Sequence, residues 1–220
     1  MSAGSQAPAT AIDAPTAVRR SPGRPTREQA IERDRELLET ALDLFLENGF
    51  EGTSIEMITA AVGMAKRTIY SRYDDKRGLF RAALQRAIDE WILPIDRLSA
   101  AEGPDLEQSL NRIGRLLIDN ILSREGLRLL QITNAEARRL PGLGPWTSHL
   151  GTEPTLAFLE ELLGRRLPGI APADAALSFL QLVVGGPATY AAWGQDIPAE
   201  ELDRRTAFNV RLFLNGVGGA

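Results

Sequence analysis

A glycine at position 63 separates two short stretches of helical periodicity, and no other feature constrains the chain as tightly. Ahead of it, Ile55, Ile58 and Val62 recur at helical spacing and give that segment one apolar side. Thr53, with Glu56 three residues later, predicts a capping box at its start. Gly63 supplies the backbone freedom for an abrupt change of direction. Beyond it the spacing predicts a second helix from about Ala65 to Tyr73. At about 100° per residue, Ala65, Ile69, Arg72 and Tyr73 share one side of that helix. Arg67, Tyr70 and Ser71 occupy the other, with Lys66 and Thr68 on the flanks. From Met64 to Tyr73 the stretch carries three basic residues and no acidic one. A short helix with a basic, hydroxyl-bearing outer side, braced by a preceding helix, is what a helix-turn-helix places in the DNA major groove.

The segment from about Arg33 to Leu84 resembles the DNA-binding domain of the TetR family of bacterial transcriptional regulators. The resemblance rests on Ala41, Phe45, Gly49, Phe50, Thr53, Ser54, Ile58, Ala61, Gly63, Lys66, Thr68, Ile69, Tyr70, Tyr73, Lys76 and Leu79. Spacing, turn glycine, the Thr53-Ser54 hydroxyl pair, the Lys66–Tyr70 run and the following lysine all agree. Two positions depart from the pattern. Ala65 stands where a capping Ser is common, at a cost of about 1 kcal/mol in helix terms. Arg67 replaces a common glycine and puts a long cation within reach of a base edge. The order RLLQITNAEARRLPGLGPW, with the helices after it, is similar to the AefR-like type of TetR C-terminal domain.

Composition narrows the alternatives. The chain has no cysteine and one histidine, so thiolate metal sites, cysteine nucleophiles and the Glu-x-x-His pairs of di-metal bundles cannot be assembled. It carries no phosphate-loop, dinucleotide or nucleophile-elbow signature. No catalytic residue, cofactor or metal is expected, and an enzyme built on a helical bundle is the disfavoured reading. The net charge of −4 argues against indiscriminate nucleic-acid binding and requires any DNA contact to be a local basic patch. No apolar run is expected to reach the roughly 18 residues of a membrane span. With no secretory h-region in view, a bacterial cytoplasmic location is expected.

Taken in order, the chain reads as all-α with three parts. Residues 1–25 are rich in Ala, Ser, Pro and Gly and are expected to lack structure. Within them, Arg19-Arg20-Ser21-Pro22-Gly23-Arg24-Pro25 suits either a minor-groove arm or a solvated linker. Residues 26–90 form the three-helix DNA-binding domain, with the helix-turn-helix at 54–73. It opens with an amphipathic helix over about Thr26 to Asn48 whose expected stripe is Ile31, Leu38, Ala41, Leu42 and Phe45. A fourth helix begins near Lys76, capped by Asp74-Asp75, and runs toward Pro94. Residues 91–220 form a helical effector-binding and dimerisation domain. Its helices are expected over Asp105–Ser123, Arg124–Leu140, Trp146–Arg165, Ala173–Trp193 and Ala199–Asn215. The apolar penultimate helix needs cover that one chain cannot supply, and pairing the last two helices with their copies gives a symmetric homodimer interface.

From these segments the expected DNA-facing set is Thr53, Ser54, Lys66, Arg67, Thr68, Tyr70, Ser71, Tyr73 and Lys76. Lys66 and Arg67 have the chemistry to read guanine, and the others that of phosphate contacts, with Lys76 docking a phosphate at its helix start or pairing with Asp74 or Asp75. The phase of Tyr73 also suits a core position. Trp91, Ile95, Leu117, Ile121, Leu130, Trp146, His149 and Leu180 are candidates for an apolar effector pocket, each also suited to plain core. The resemblance implies a dimeric regulator on a palindromic double-stranded operator, most often a repressor, released by a small apolar molecule. A TetR-like regulator with no small-molecule effector fits the DNA-binding half equally well.

Overall fold

The computed structural model describes residue 1 and residues 26–217, so the expectation for the tail over residues 2–25 lies outside the described residues. Among the described residues the chain is helical throughout, without strands. The first helix, α1 (Arg27–Gly52), starts in a reciprocal capping box in which Thr26 and Gln29 bond each other's backbone N–H. It breaks at Gly49, whose φ of 72° only glycine adopts without strain. That break folds Phe50 back against Phe45, and Phe80 closes the cluster with ring centroids 4.9 and 5.2 Å from the other two. All three phenylalanines are core residues.

The next helices, α2 (Ile55–Val62) and α3 (Lys66–Tyr73), turn about Gly63 in the left-handed conformation. Ile55, Ile58 and Ile69 face the first core, together with Leu79, Ala83, Leu84 and Ile88 of α4 (Lys76–Trp91). Asp75 caps α4 through the Gly78 N–H. A Cβ on Gly78 would lie 1.9 Å from the Tyr73 carbonyl oxygen, so only glycine lets α4 begin this close to the end of α3. The start of α2 corrects one expectation. Its cap is Ser54, whose hydroxyl accepts from the Met57 N–H, and Thr53 is buried instead of forming a capping box with Glu56.

The rest of the chain builds a second core. The short helix α5 (Ile95–Ser99) leads to α6 (Leu106–Ile121), α7 (Arg124–Glu136), α8 (Leu143–Gly151), α9 (Glu153–Arg166), α10 (Pro172–Leu180), α11 (Gly186–Ala192) and α12 (Ala199–Val217). Leu110, Ile113, Leu159, Leu162, Phe179 and Val210 are its fully covered centre. Two helices of the second half serve the first core: α7 contributes Leu129 and Ile132, and α8 contributes Leu143 with Trp146 beside it. The helix expected over Trp146–Arg165 is two, broken at Thr152, because Pro154 lacks the N–H an interior position requires and sits in the first turn of α9. Residues 181–185 form a π-turn between α10 and α11, which accommodates Pro187. Across α10–α11, Pro172–Ala192 is 21 residues with mean hydropathy 1.3, long and apolar enough to cross a membrane by length and composition. This corrects the expectation that no run reaches that length. Its inner face packs on α6 and α12 at Gly114, where a Cβ would meet Val183 at 2.8 Å.

A Gly78→Ala substitution should separate α3 from α4 and lower the unfolding free energy by about 1–3 kcal/mol, as overpacking does. Urea denaturation followed by circular dichroism measures the loss.

Candidate DNA-contacting surface and its supports

The outward side of α3 is built by fixing its inner side. Ile69 is fully buried in the first core. The last turn is tied to α1 by Asp34, whose Oδ1 accepts from Tyr73 Oη and from Arg72 Nη1, each at 2.6 Å. Burial, and then the hydrogen bond to Asp34, pushes the Tyr73 phenol well above its ordinary range. Tyr73 is thus half-buried with its hydroxyl occupied, which favours the packing side of its two expected roles. Arg67 and Tyr70 point outward, Tyr70 being 47% exposed. Lys66 is also exposed and pairs with Glu56 of α2, which lowers the Glu56 carboxyl below its usual range. An exposed pair of this kind adds little to stability, so a phosphate or base edge can compete for the lysine. Thr68 lies on the flank, the Ser71 hydroxyl donates back to the Thr68 carbonyl, and the Ser54 hydroxyl caps α2 by accepting from the Met57 N–H.

Two members of the expected set are not on this surface. Thr53 is 1% exposed, and its hydroxyl reaches the Leu44 and Gly49 carbonyls at 2.9 and 2.8 Å. The break at Gly49 frees those carbonyls, and a buried carbonyl needs a donor. Lys76 neither projects toward a phosphate nor pairs with Asp74 or Asp75. Its ammonium donates to the Phe50 and Thr53 carbonyls at 2.8 and 3.0 Å and lies 4.4 Å from the centre of the Phe50 ring. Its unfavourable place in a helix's first turn is thereby offset by charge-assisted bonds to the end of α1.

The second half holds an apolar cavity of about 110 Å³. Trp91, Leu117, Ile121 and Leu180 of the expected set line it, joined by Asn120, Thr152 and Thr155, polar groups that periodicity gave no reason to choose. The other four lie elsewhere. Ile95 is 41% exposed on α5. Leu130 is half-buried on α7, away from the cavity wall. Trp146 packs on the first core and borders a different crevice with Arg77 and Phe80. His149 is solvent-facing and bonds Glu153 through Nδ1 at 2.7 Å. The break at Thr152 rotates α8 toward the first core, which is why Trp146 and His149 miss the cavity. Outside the cavity lining, α10 exposes Leu177, the π-turn Leu182, and α12 Phe208 and Leu212, all at 37–56%, with Trp193 beyond α11 at 68%.

Fold and surface together define a helix-turn-helix protein: a three-helix unit carried on a larger helical body. Residues 37–83 match the family described as bacterial regulatory proteins, tetR family. Over 100 residues the chain is 34% identical to the HTH-type transcriptional repressor ComR of Escherichia coli (strain K12), the match covering 46% of each protein. The chain thus spans less than half the length of that curated relative. Over nearly its whole described length it is similar to a solved TetR-family transcriptional regulator from Mesorhizobium loti MAFF303099, with a TM-score of 0.71 and 27% identity over 87% of this chain and 98% of that one. It is also similar to the flavonoid-responsive regulator FrrA, with a TM-score of 0.70 and 27% identity over 84% and 96%. Residues 37–83 thus carry a TetR-type N-terminal domain, and the described chain has the fold of TetR-family regulators.

Thr53→Val keeps the shape and removes the hydroxyl, taking that donor from the Gly49 carbonyl and leaving the Leu44 carbonyl with Asn48 Nδ2 alone. It should cost about 1–3 kcal/mol of stability while Thr53→Ser stays near wild type. Thermal unfolding of the two variants distinguishes them.

Proposed function

We propose that this protein is a dimeric, cytoplasmic transcriptional repressor that binds a palindromic DNA operator through α3. The supporting observation is the outward basic side of α3, with Arg67 and Tyr70 exposed while Ile69, Tyr73 and Asp34 hold the helix from behind. Arg67 and Lys66 donate to guanine O6 and N7 in the major groove. Tyr70, Thr68, Ser71 and Ser54 reach phosphates and fix the register. The chain as a whole carries a net charge of −4, which confines DNA contact to a local patch such as this one.

The apolar face of α10, α11 and α12 is the dimer interface in this reading. Phe208 and Leu212 lie one turn apart on α12, and Leu177 and Leu182 stand on the neighbouring helix run. An exposed cluster of large apolar side chains marks a surface that needs a partner, and a twofold axis presents it with its own copy. Two α3 helices related by that axis fit half-sites about one DNA turn, roughly 34 Å, apart or somewhat more. A small apolar effector in the cavity beside Trp91 and Leu180 shifts the dimer to a spacing that no longer fits adjacent grooves. The cavity's 110 Å³ also supports a second reading, a regulator with no small-molecule effector that is controlled by a protein partner or acts constitutively or as an activator. Small-molecule pockets are commonly about 300–1,000 Å³. A thermal-shift screen with apolar compounds separates the two: a concentration-dependent rise in melting temperature supports the effector, and silence supports the second reading.

Arg67→Ala combined with Tyr70→Ala should weaken binding to the selected operator at least about 100-fold, since a good bidentate base contact alone is worth about 1–3 kcal/mol. The dimer should survive the change. Unaltered affinity in fluorescence anisotropy would refute the assignment. Phe208→Asp with Leu212→Asp should instead yield monomers in light scattering and abolish operator binding through loss of the second half-site.

A further inference from the structure

One buried acid of the second half reaches the helix-turn-helix unit. Glu136 ends α7, its side chain is 2% exposed, and its Oε1 accepts from the Phe50 N–H at 3.1 Å. Its Oε2 is buried without a hydrogen-bond partner among the described residues. Arg139 is the nearby cation, with Nη1 3.8 Å from Oε1, too far for a hydrogen bond. A buried carboxylate oxygen left unpaired is costly, and it is uncommon enough in a native structure to require an explanation.

The position of Glu136 supplies one. Phe50 lies in the turn between α1 and α2, where Lys76 holds the Phe50 and Thr53 carbonyls. At its other end α7 starts against the cavity wall. A Cβ on Gly126 would come within 2.8 Å of Trp91 Nε1 and 2.5 Å of the Asn120 and Ile121 carbonyl oxygens. Trp91 in turn donates to the Asn120 carbonyl at 2.9 Å. The 13 residues of α7 therefore form a rod, about 20 Å long at 1.5 Å per residue, with one end on the cavity and the other on the turn that precedes the recognition unit.

We infer that Glu136 is a positioning residue for DNA recognition: through α7 it couples the cavity to the Gly49–Thr53 turn, and so to the placement of α2 and α3. The inference rests on the proposed DNA-binding function for its consequence, but its structural content stands apart from it. Displacement of the cavity wall moves the start of α7, and a bond with one satisfied and one unsatisfied oxygen is the contact that yields. The α4 helix runs between the same two places, from Lys76 at the turn to Trp91 at the cavity. α7 is thus a second arm, and Glu136 is the contact at its end.

A double-mutant cycle on the full chain tests this, with Glu136→Ala, Leu180→Trp to fill the cavity from its wall, and the combination. Two readouts are taken: amide hydrogen exchange across residues 50–73, and affinity for a duplex selected from a random pool by the wild-type protein. Glu136→Ala should speed exchange at Phe50 about tenfold or more, the scale of losing a hydrogen bond to a charged group, while residues 106–121 keep their protection. Leu180→Trp should speed the same amides and weaken DNA binding in the wild-type background, and add less in the Glu136→Ala background, where only α4 still links the cavity to the turn. Glu136→Gln keeps an acceptor for the Phe50 N–H; it should fall between, and it carries the test if the alanine variant does not fold. Wild-type exchange at Phe50 in both Glu136 variants, or effects that simply add, would overturn the proposal. A wild-type protein that selects no duplex would defeat the DNA-binding reading instead, with the exchange measurements still deciding the coupling.

Discussion

The turn from Gly49 to Thr53 has to be buried, and a buried turn must satisfy its own backbone. Helix α1 breaks there so that Phe50 can join Phe45 and Phe80, which leaves carbonyls and an N–H without helical partners. Each is met by a side chain from a different element. The Thr53 hydroxyl takes the Leu44 and Gly49 carbonyls, the Lys76 ammonium takes those of Phe50 and Thr53, and the Glu136 carboxylate takes the Phe50 N–H. Local turn, α4 and α7 are thereby fastened to one point. The helix-turn-helix departs from that point, so its orientation is inherited from all three.

The recognition helix shows the same economy from the other side. Eight residues are too few for a helix to persist alone in water, where about 12–15 are marginal. α3 also lacks a side-chain cap at Ala65. Its persistence comes from Ile69 in the core, from the two bonds to Asp34 and from the close approach that Gly78 permits. Because all of these act on its inner side or its last turn, the outward positions are released from structural duty. Arg67 and Tyr70 are free to be chosen for what they touch.

What could be read from the sequence follows the reach of each interaction. The two helices about Gly63 and the inward side of the first helix through Leu38, Ala41, Leu42 and Phe45 were legible, because periodicity and turn chemistry act within a few residues. Thr53 and Lys76 were legible as important but not in their roles. A hydroxyl three residues before a glutamate looks like a cap, and a lysine at a helix start looks like a phosphate ligand, until the fold supplies nearer carbonyls. Half of the expected cavity residues, Trp91, Leu117, Ile121 and Leu180, do line it, since each sits on the apolar phase of a long helix. Trp146 and His149 do not, because Pro154 splits the helix that carries them. Glu136 was illegible altogether: its partner is 86 residues away, and nothing local distinguishes it from any glutamate near a helix end.

The two halves of the molecule are consequently not separate in the way a linear division suggests. The first core includes Leu129, Ile132 and Leu143 from beyond the helix-turn-helix, so removing α7 and α8 would expose that core as well as the cavity. A cavity whose wall residue Trp91 belongs to α4, and whose neighbour Gly126 belongs to α7, cannot change shape without loading both helices. Packed interiors shift between discrete arrangements more readily than they stretch. The Gly49–Thr53 turn is therefore joined to that space by two packed helices, α4 through Lys76 and α7 through Glu136.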